Sequence, residues 1–127
     1  MRETDQREDD VKAAIILFAD TDRPEGLGRL ANALTSAREF LEAGDEIAVI
    51  FDGAGVKWVP EVARPDHKYH GLFEEVRGAV TGACVYCSRA YGVTDGVEAA
   101  GVPFLDEFRG HPSIRSLVGS GHQVITF

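Results

Sequence analysis

Val11-Lys12-Ala13-Ala14-Ile15-Ile16-Leu17-Phe18-Ala19-Asp20 is a near-continuous apolar run that stops at an acid. A run of that length with aliphatic and β-branched residues on both faces reads as a strand buried on both sides, as in a parallel sheet. Asp20 to Gly26 reads as a loop. From Leu27 to Ala43, Leu27, Leu30, Ala31, Leu34, Ala37 and Leu41 recur at helical spacing, with Arg29, Arg38, Glu39 and Glu42 on the outer face. Gly44 stands where a helix C-terminal cap is expected. The same alternation continues. Glu46 to Phe51 and Val80 to Val85 read as further buried strands, Asp66 to Gly78 as a helix, and Val102-Pro103-Phe104 as a short apolar stretch. Ser88 to Tyr91, Thr94 to Ala100 and Ser113 to Val118 read as short helical segments, and His122 to Phe127 as a terminal strand. Val56 to Val62 stays ambiguous, because Pro60 and Pro65 argue against a long helix there. Strands alternating with helices predict an α/β sandwich around a mostly parallel sheet of four or five strands.

The chain has 127 residues, 44% hydrophobic and 27% charged, which predicts one domain with its own core. Residues 1–10 hold five acids and two arginines and read as a solvated tail, leaving residues 11–127 as the domain. The net charge of -8 lacks the basic footprint of a nucleic-acid binder, so no nucleic-acid partner is expected. No apolar run approaches the roughly 20 residues of a membrane span. The N-terminus has no apolar region behind a basic start, as a signal peptide would. The expectation is a cytoplasmic protein without a membrane partner.

The two cysteines, Cys84 and Cys87, form one Cys-x-x-Cys at the end of the third strand. Two cysteines cannot make a disulfide framework, and in a cytosolic protein this spacing points to redox, metal or sulfur chemistry. A thiol where a strand meets a helix faces backbone N–H groups that favour the thiolate, the nucleophilic form. Arg89, one to two turns on, would add positive charge. Cys84, Cys87 and Arg89 are therefore the candidate catalytic residues. In open α/β sheets ligands gather at the carboxyl ends of strands. Asp20, Asp52 and Gly53 stand at such ends and are the candidate ligand pocket.

Other motifs carry less. His67 and His70 complete a Cys2His2 set on paper, but their placement relative to the cysteines is reversed from a zinc finger, and they read as an exposed helix edge. No metal and no cofactor are expected. A thioredoxin-like fold would place its Cys-x-x-Cys after the first strand, whereas here it lies two-thirds along the chain. Asp52-Gly53-Ala54-Gly55 lacks the third glycine of a dinucleotide fingerprint. Gly26-Leu27-Gly28 opens a helix and reads as a tight turn rather than a phosphate cradle. His111 and His122 have no partner assignable from sequence order.

The segment Ala83-Cys84-Val85-Tyr86-Cys87-Ser88-Arg89-Ala90-Tyr91-Gly92-Val93 resembles the cysteine motif of the DsrE/DsrF-like proteins. In that motif a Cys closes a strand, a short helix comes next, and a Gly-hydrophobic pair stands eight residues later. The opening strand, Gly44-Asp45-Glu46, Ile50-Phe51-Asp52-Gly53 and the terminal Val124-Ile125-Thr126-Phe127 are also similar, so the likeness covers residues 11–127. It implies a three-layer α/β/α fold with a five-stranded, mainly parallel sheet. It implies a trimer or hexamer, sulfur donor and acceptor proteins as partners, and a persulfide on Cys84. The leading reading adds Cys87 as the residue that resolves the persulfide. Two readings stand beside sulfur transfer: a small-ligand or nucleotide binding module with packing cysteines, and a thiol–disulfide oxidoreductase. A carrier would show a fast, low-pKa thiol, and packing cysteines a slow one.

Overall fold

The computed structural model describes residues 10–127. The expected acidic tail therefore lies outside the described residues, apart from Asp10. The chain runs β1 (Lys12–Leu17), α1 (Pro24–Glu42), β2 (Glu46–Phe51), a 3-10 turn (Gly53–Lys57), α2 (Trp58–Val62) and α3 (His70–Val76). It continues through a second 3-10 turn (Arg77–Ala79), β3 (Val80–Cys84), α4 (Val85–Ala90), α5 (Thr94–Ala99), β4 (Phe104–Leu105), α6 (Ile114–Gly119) and β5 (Gln123–Thr126). The strands form one five-stranded sheet in the order β4-β3-β2-β1-β5. Every pairing is parallel, and helices cover both faces in a three-layer α/β/α arrangement.

The double-sided burial of β1 is the direct consequence of its composition. Ala13 to Leu17 are all at most 1% exposed, so both faces of the strand are dry. Alternate residues Ile15, Leu17, Val49 and Phe51 join the main core with Leu30, Leu34 and Ala37 of α1. Phe73 of α3 meets Phe51 edge-on, with ring centroids 6.4 Å apart and planes at 69°. Each such fully buried side chain contributes about 1.5–3 kcal/mol by removal from water.

Helix ends obey local chemistry. Pro24 opens α1, where its missing N–H costs nothing and its fixed φ suits the helix. At the other end Gly44 takes φ +79°. Its N–H donates to the Leu41 carbonyl and that of Asp45 to the Phe40 carbonyl, a Schellman closure. The ambiguous segment resolves as α2, which holds Pro60 in its first turn, where the absent N–H has no intrahelical acceptor. The helix expected from Asp66 begins later, at His70, because residues 64–70 are taken up by turns in which His67 N–H donates to the Arg64 carbonyl and His70 N–H to the His67 carbonyl. Among the described residues no helix is long and apolar enough to cross a membrane.

Candidate functional site

The site lies where β2 and β3 end side by side. The β2–β3 register pairs Phe51 with Ala83, so Asp52 and Cys84, one residue beyond each, leave the sheet together. Asp52 is only 7% exposed, and its Oδ1 accepts the Gly53 N–H at 2.8 Å. The adjoining 3-10 turn lies tight against the end of β1. A Cβ at Gly55 would overlap the Leu17 carbonyl, so only glycine lets the turn close there.

Cys84 is fully buried and caps α4, its Sγ accepting the Cys87 N–H at 3.2 Å. Ser88 Oγ donates to the Cys84 carbonyl at 2.8 Å and ties the helix back onto the strand. The helix ends at Gly92, φ +71°, with the Val93 N–H bonded to the Ser88 carbonyl. The Gly-hydrophobic pair after the cysteines is thus the closure that keeps α4 short.

Two further groups complete the cluster. The loop after β4 brings His111 over Cys84, with Nδ1 3.4 Å from Sγ, while the Gly110 carbonyl lies 3.6 Å from the same sulfur and can accept its proton. The Cys87 thiol donates to Asp52 Oδ1 at 3.4 Å. One ligand-type atom from each of Asp52, Cys84, Cys87 and His111 lies within 4.8 Å of all the others. Tyr86 packs on the His111 ring at a centroid distance of 4.8 Å, and the Tyr86 N–H donates to the Gly110 carbonyl at 2.9 Å, so the loop is fastened to α4.

The electrostatics reverse the expected thiolate. Burial pushes the Cys84 thiol up to about 12, helped by the Cys87 side chain and the Asp52 charge; the Cys87 N–H pulls the other way but is outweighed. Burial also raises the Cys87 thiol, with the Asp52 charge adding to it. In this closed arrangement burial favours the neutral form of both thiols, where the helix start alone would favour thiolate.

The remaining candidates scatter. Arg89 is exposed in the last turn of α4, and among the described residues it makes no hydrogen bond or ion pair to either thiol. Asp20 lines a depression with Asp22, Arg23 and Arg29 in which Asp52 takes no part. It pairs with Lys57 at 2.6 Å, which holds its carboxyl below the usual range. His67 packs edge-on to Trp58, and His70 Nδ1 lies 2.7 Å from the Val62 carbonyl. Neither joins the cysteines. The histidine that does is His111, which sequence order left without a partner. The usable signal was strand adjacency: β4 pairs with β3, so the loop leaving β4 lands beside the helix leaving β3.

The family model for the DsrE/DsrF-like proteins matches residues 14–127. The chain belongs to the DsrE/DsrF-like family. That family is linked to sulfur relay, and two cysteines, Cys84 and Cys87, stand close together in this chain. An uncharacterized protein of Methanocaldococcus jannaschii is 22% identical over 116 residues, covering 91% of this chain and 94% of that one. A conserved protein of unknown function from Bacteroides thetaiotaomicron has the same fold. It superposes with a TM-score of 0.60 at 17% identity, over 91% of this chain and 95% of the other. The DsrE-like fold accounts for the parallel sheet and its helix layers.

Proposed function

We propose that this DsrE-like protein is a sulfur carrier that accepts sulfane sulfur as a persulfide on Cys84. The observation that carries the reading is the Cys84–His111 contact of 3.4 Å at the carboxyl end of β3, with the Cys87 thiol beside it. With the ring proton on Nε2, His111 Nδ1 can take the Cys84 proton. The Cys84 thiolate then attacks the outer sulfur of a donor persulfide. The donor S–S bond breaks, a new one forms on Cys84, and the donor leaves as a thiolate. Transfer to an acceptor thiolate repeats the exchange in the other direction.

Cys87 offers a second exit. Its thiolate attacks the inner sulfur of the persulfide, expelling hydrosulfide and leaving a Cys84–Cys87 disulfide. The outgoing sulfur is reduced by two electrons, and a dithiol reductant must restore the cysteines. Because Cys84 is fully buried beneath Gly110 and His111, loading requires the 106–112 loop to lift. Exposed Phe108 of that loop and exposed Tyr86 beside it offer a docking surface to donor and acceptor proteins. On this reading the protein acts in the cytoplasm as a homo-oligomer, a trimer or hexamer.

The test is intact mass after reduced protein meets a small-molecule persulfide donor. Wild type and Cys87→Ser should gain the mass of sulfur, and Cys84→Ser should not. A gain that survives Cys84→Ser, or no gain in any form, refutes the carrier.

A further inference from the structure

Asp52 is a carboxylate buried to 7% exposure, and among the described residues no ion pair reaches it. Among the described residues its Oδ1 has the Gly53 N–H and the Cys87 thiol as partners. Acids that far from water are normally matched by a cation. Around it stand two thiols and an imidazole, all with donor atoms within 4.8 Å of one another. We propose that Asp52, Cys84, Cys87 and His111 form a closed, four-coordinate site for zinc.

The donor set selects the ion. Two sulfurs, one imidazole nitrogen and one carboxylate oxygen suit a borderline-soft ion of tetrahedral habit, and thiolates are poor ligands for magnesium or calcium. The size agrees as well. Zinc–sulfur bonds of about 2.3 Å and zinc–nitrogen or zinc–oxygen bonds of about 2.0–2.2 Å set tetrahedral edges of roughly 3.3–3.8 Å. The Cys84–His111 and Cys87–Asp52 edges are both 3.4 Å. With every pair of ligand atoms within 4.8 Å, the longest edge needs to shorten by no more than about 1.5 Å, within the reach of side-chain rotation.

The supporting shell is in place. The Cys87 N–H points at Cys84 Sγ, and the Gly53 N–H fixes the Asp52 carboxylate. The His111 ring is held by Tyr86, and its backbone N–H and C=O are both bonded to Phe108. His111 is the half-exposed member, so the ion enters from the loop side. On binding, two Zn–S bonds replace two S–H bonds and both protons pass to solvent. Four protein ligands leave no position for water, which makes this a stabilising or blocking site rather than a hydrolytic one. A zinc ion and a persulfide compete for the same Cys84 sulfur. The zinc site itself does not depend on the sulfur-transfer reading.

The experiment loads full-length, reduced, chelator-stripped protein with Zn2+, removes free ion by desalting, and measures bound metal by native mass spectrometry. Co2+ serves as the spectroscopic probe. The expected result is one metal per chain, with the intense visible bands of tetrahedral cobalt and a thiolate-to-cobalt charge-transfer band. Asp52→Asn and His111→Gln should each weaken zinc at least about tenfold in chelator competition, while His67→Gln should not. Circular dichroism checks that each variant is folded. Failure of wild type to retain zinc, or the weak spectrum of octahedral cobalt, overturns the proposal without recourse to a variant. Undiminished affinity in both folded Asp52→Asn and His111→Gln also overturns it. Sulfur loading is measured separately on zinc-free protein, so each reading fails by its own assay.

Discussion

In zinc-free protein, native Cys84 should react with iodoacetamide at pH 8 at least about 50-fold more slowly than the same thiol in the unfolded chain. The figure comes from the displacement of its pKa from 9.0 to about 12, driven mainly by burial. At pH 8 a thiol of ordinary pKa is about one-tenth thiolate, and one near 12 about one part in ten thousand, a ratio of about a thousand. The more basic thiolate is the better nucleophile. A Brønsted slope of about 0.4–0.5 over three units returns roughly 20-fold, leaving about 50-fold. Because Cys84 is fully buried, the steric barrier only adds to this. The assay is alkylation with timed quenching and mass analysis of the Cys84 peptide, run between pH 7 and 10, in the presence of a chelator. Asp52→Asn removes a charge that raises both thiols, so it should speed the reaction. The same shift sets a stability trend. A thiol whose folded pKa exceeds its unfolded one contributes fully below pH 9, and the contribution is lost as pH rises from 9 toward 12. By pH 10 about 1 kcal/mol should be gone from the urea unfolding free energy. Alkylation of native Cys84 at the unfolded rate, with an apparent pKa below 9, would refute the reasoning.

Three further outcomes rest on other contacts. His111→Gln, in zinc-free protein, should slow persulfide loading of Cys84 by about a hundredfold in single-turnover mass measurements, the contribution of a positioned base. Unchanged loading would remove His111 from the reaction. Phe73→Ala should cost about 3–5 kcal/mol in denaturant unfolding, because the side chain is fully buried against Phe51. A loss below 1 kcal/mol would contradict that packing. Lys57→Ala should return the Asp20 carboxyl upward toward 3.8 in an NMR titration, since the Lys57 partner is the largest cause lowering it. Its stabilising share is present at neutral pH and lost as pH falls through the lowered value.

The amino-acid order alone was enough for the elements and their stacking. The apolar run of β1 has no polar face, and a strand with no polar face must be covered on both sides, which demands a sheet between helix layers. The helical period from Leu27, the glycine at 44 and the strand-ending acids are local signals, read correctly because they act over a few residues. Cys84 and Cys87 were likewise legible, since a Cys-x-x-Cys at a strand end is a spacing pattern.

Only tertiary structure decided what surrounds them. His111 lies 27 residues beyond Cys84, and Asp52 lies 35 before Cys87. No periodicity links such positions. They meet because β2, β3 and β4 are neighbours in a parallel sheet, whose carboxyl ends all emerge at the same edge. The same packing reversed the ionisation of the thiols. The sequence shows an amide-rich helix start that favours thiolate, whereas the fold places that start out of reach of water, and the desolvation of a buried charge outweighs one N–H bond. Arg89 failed as a helper for a related reason. Its distance along the chain is short, but it sits in the last turn of α4 on an exposed position, so its charge is spent on solvent. Chain spacing fixes which face of an element a residue occupies; only packing fixes what that face meets.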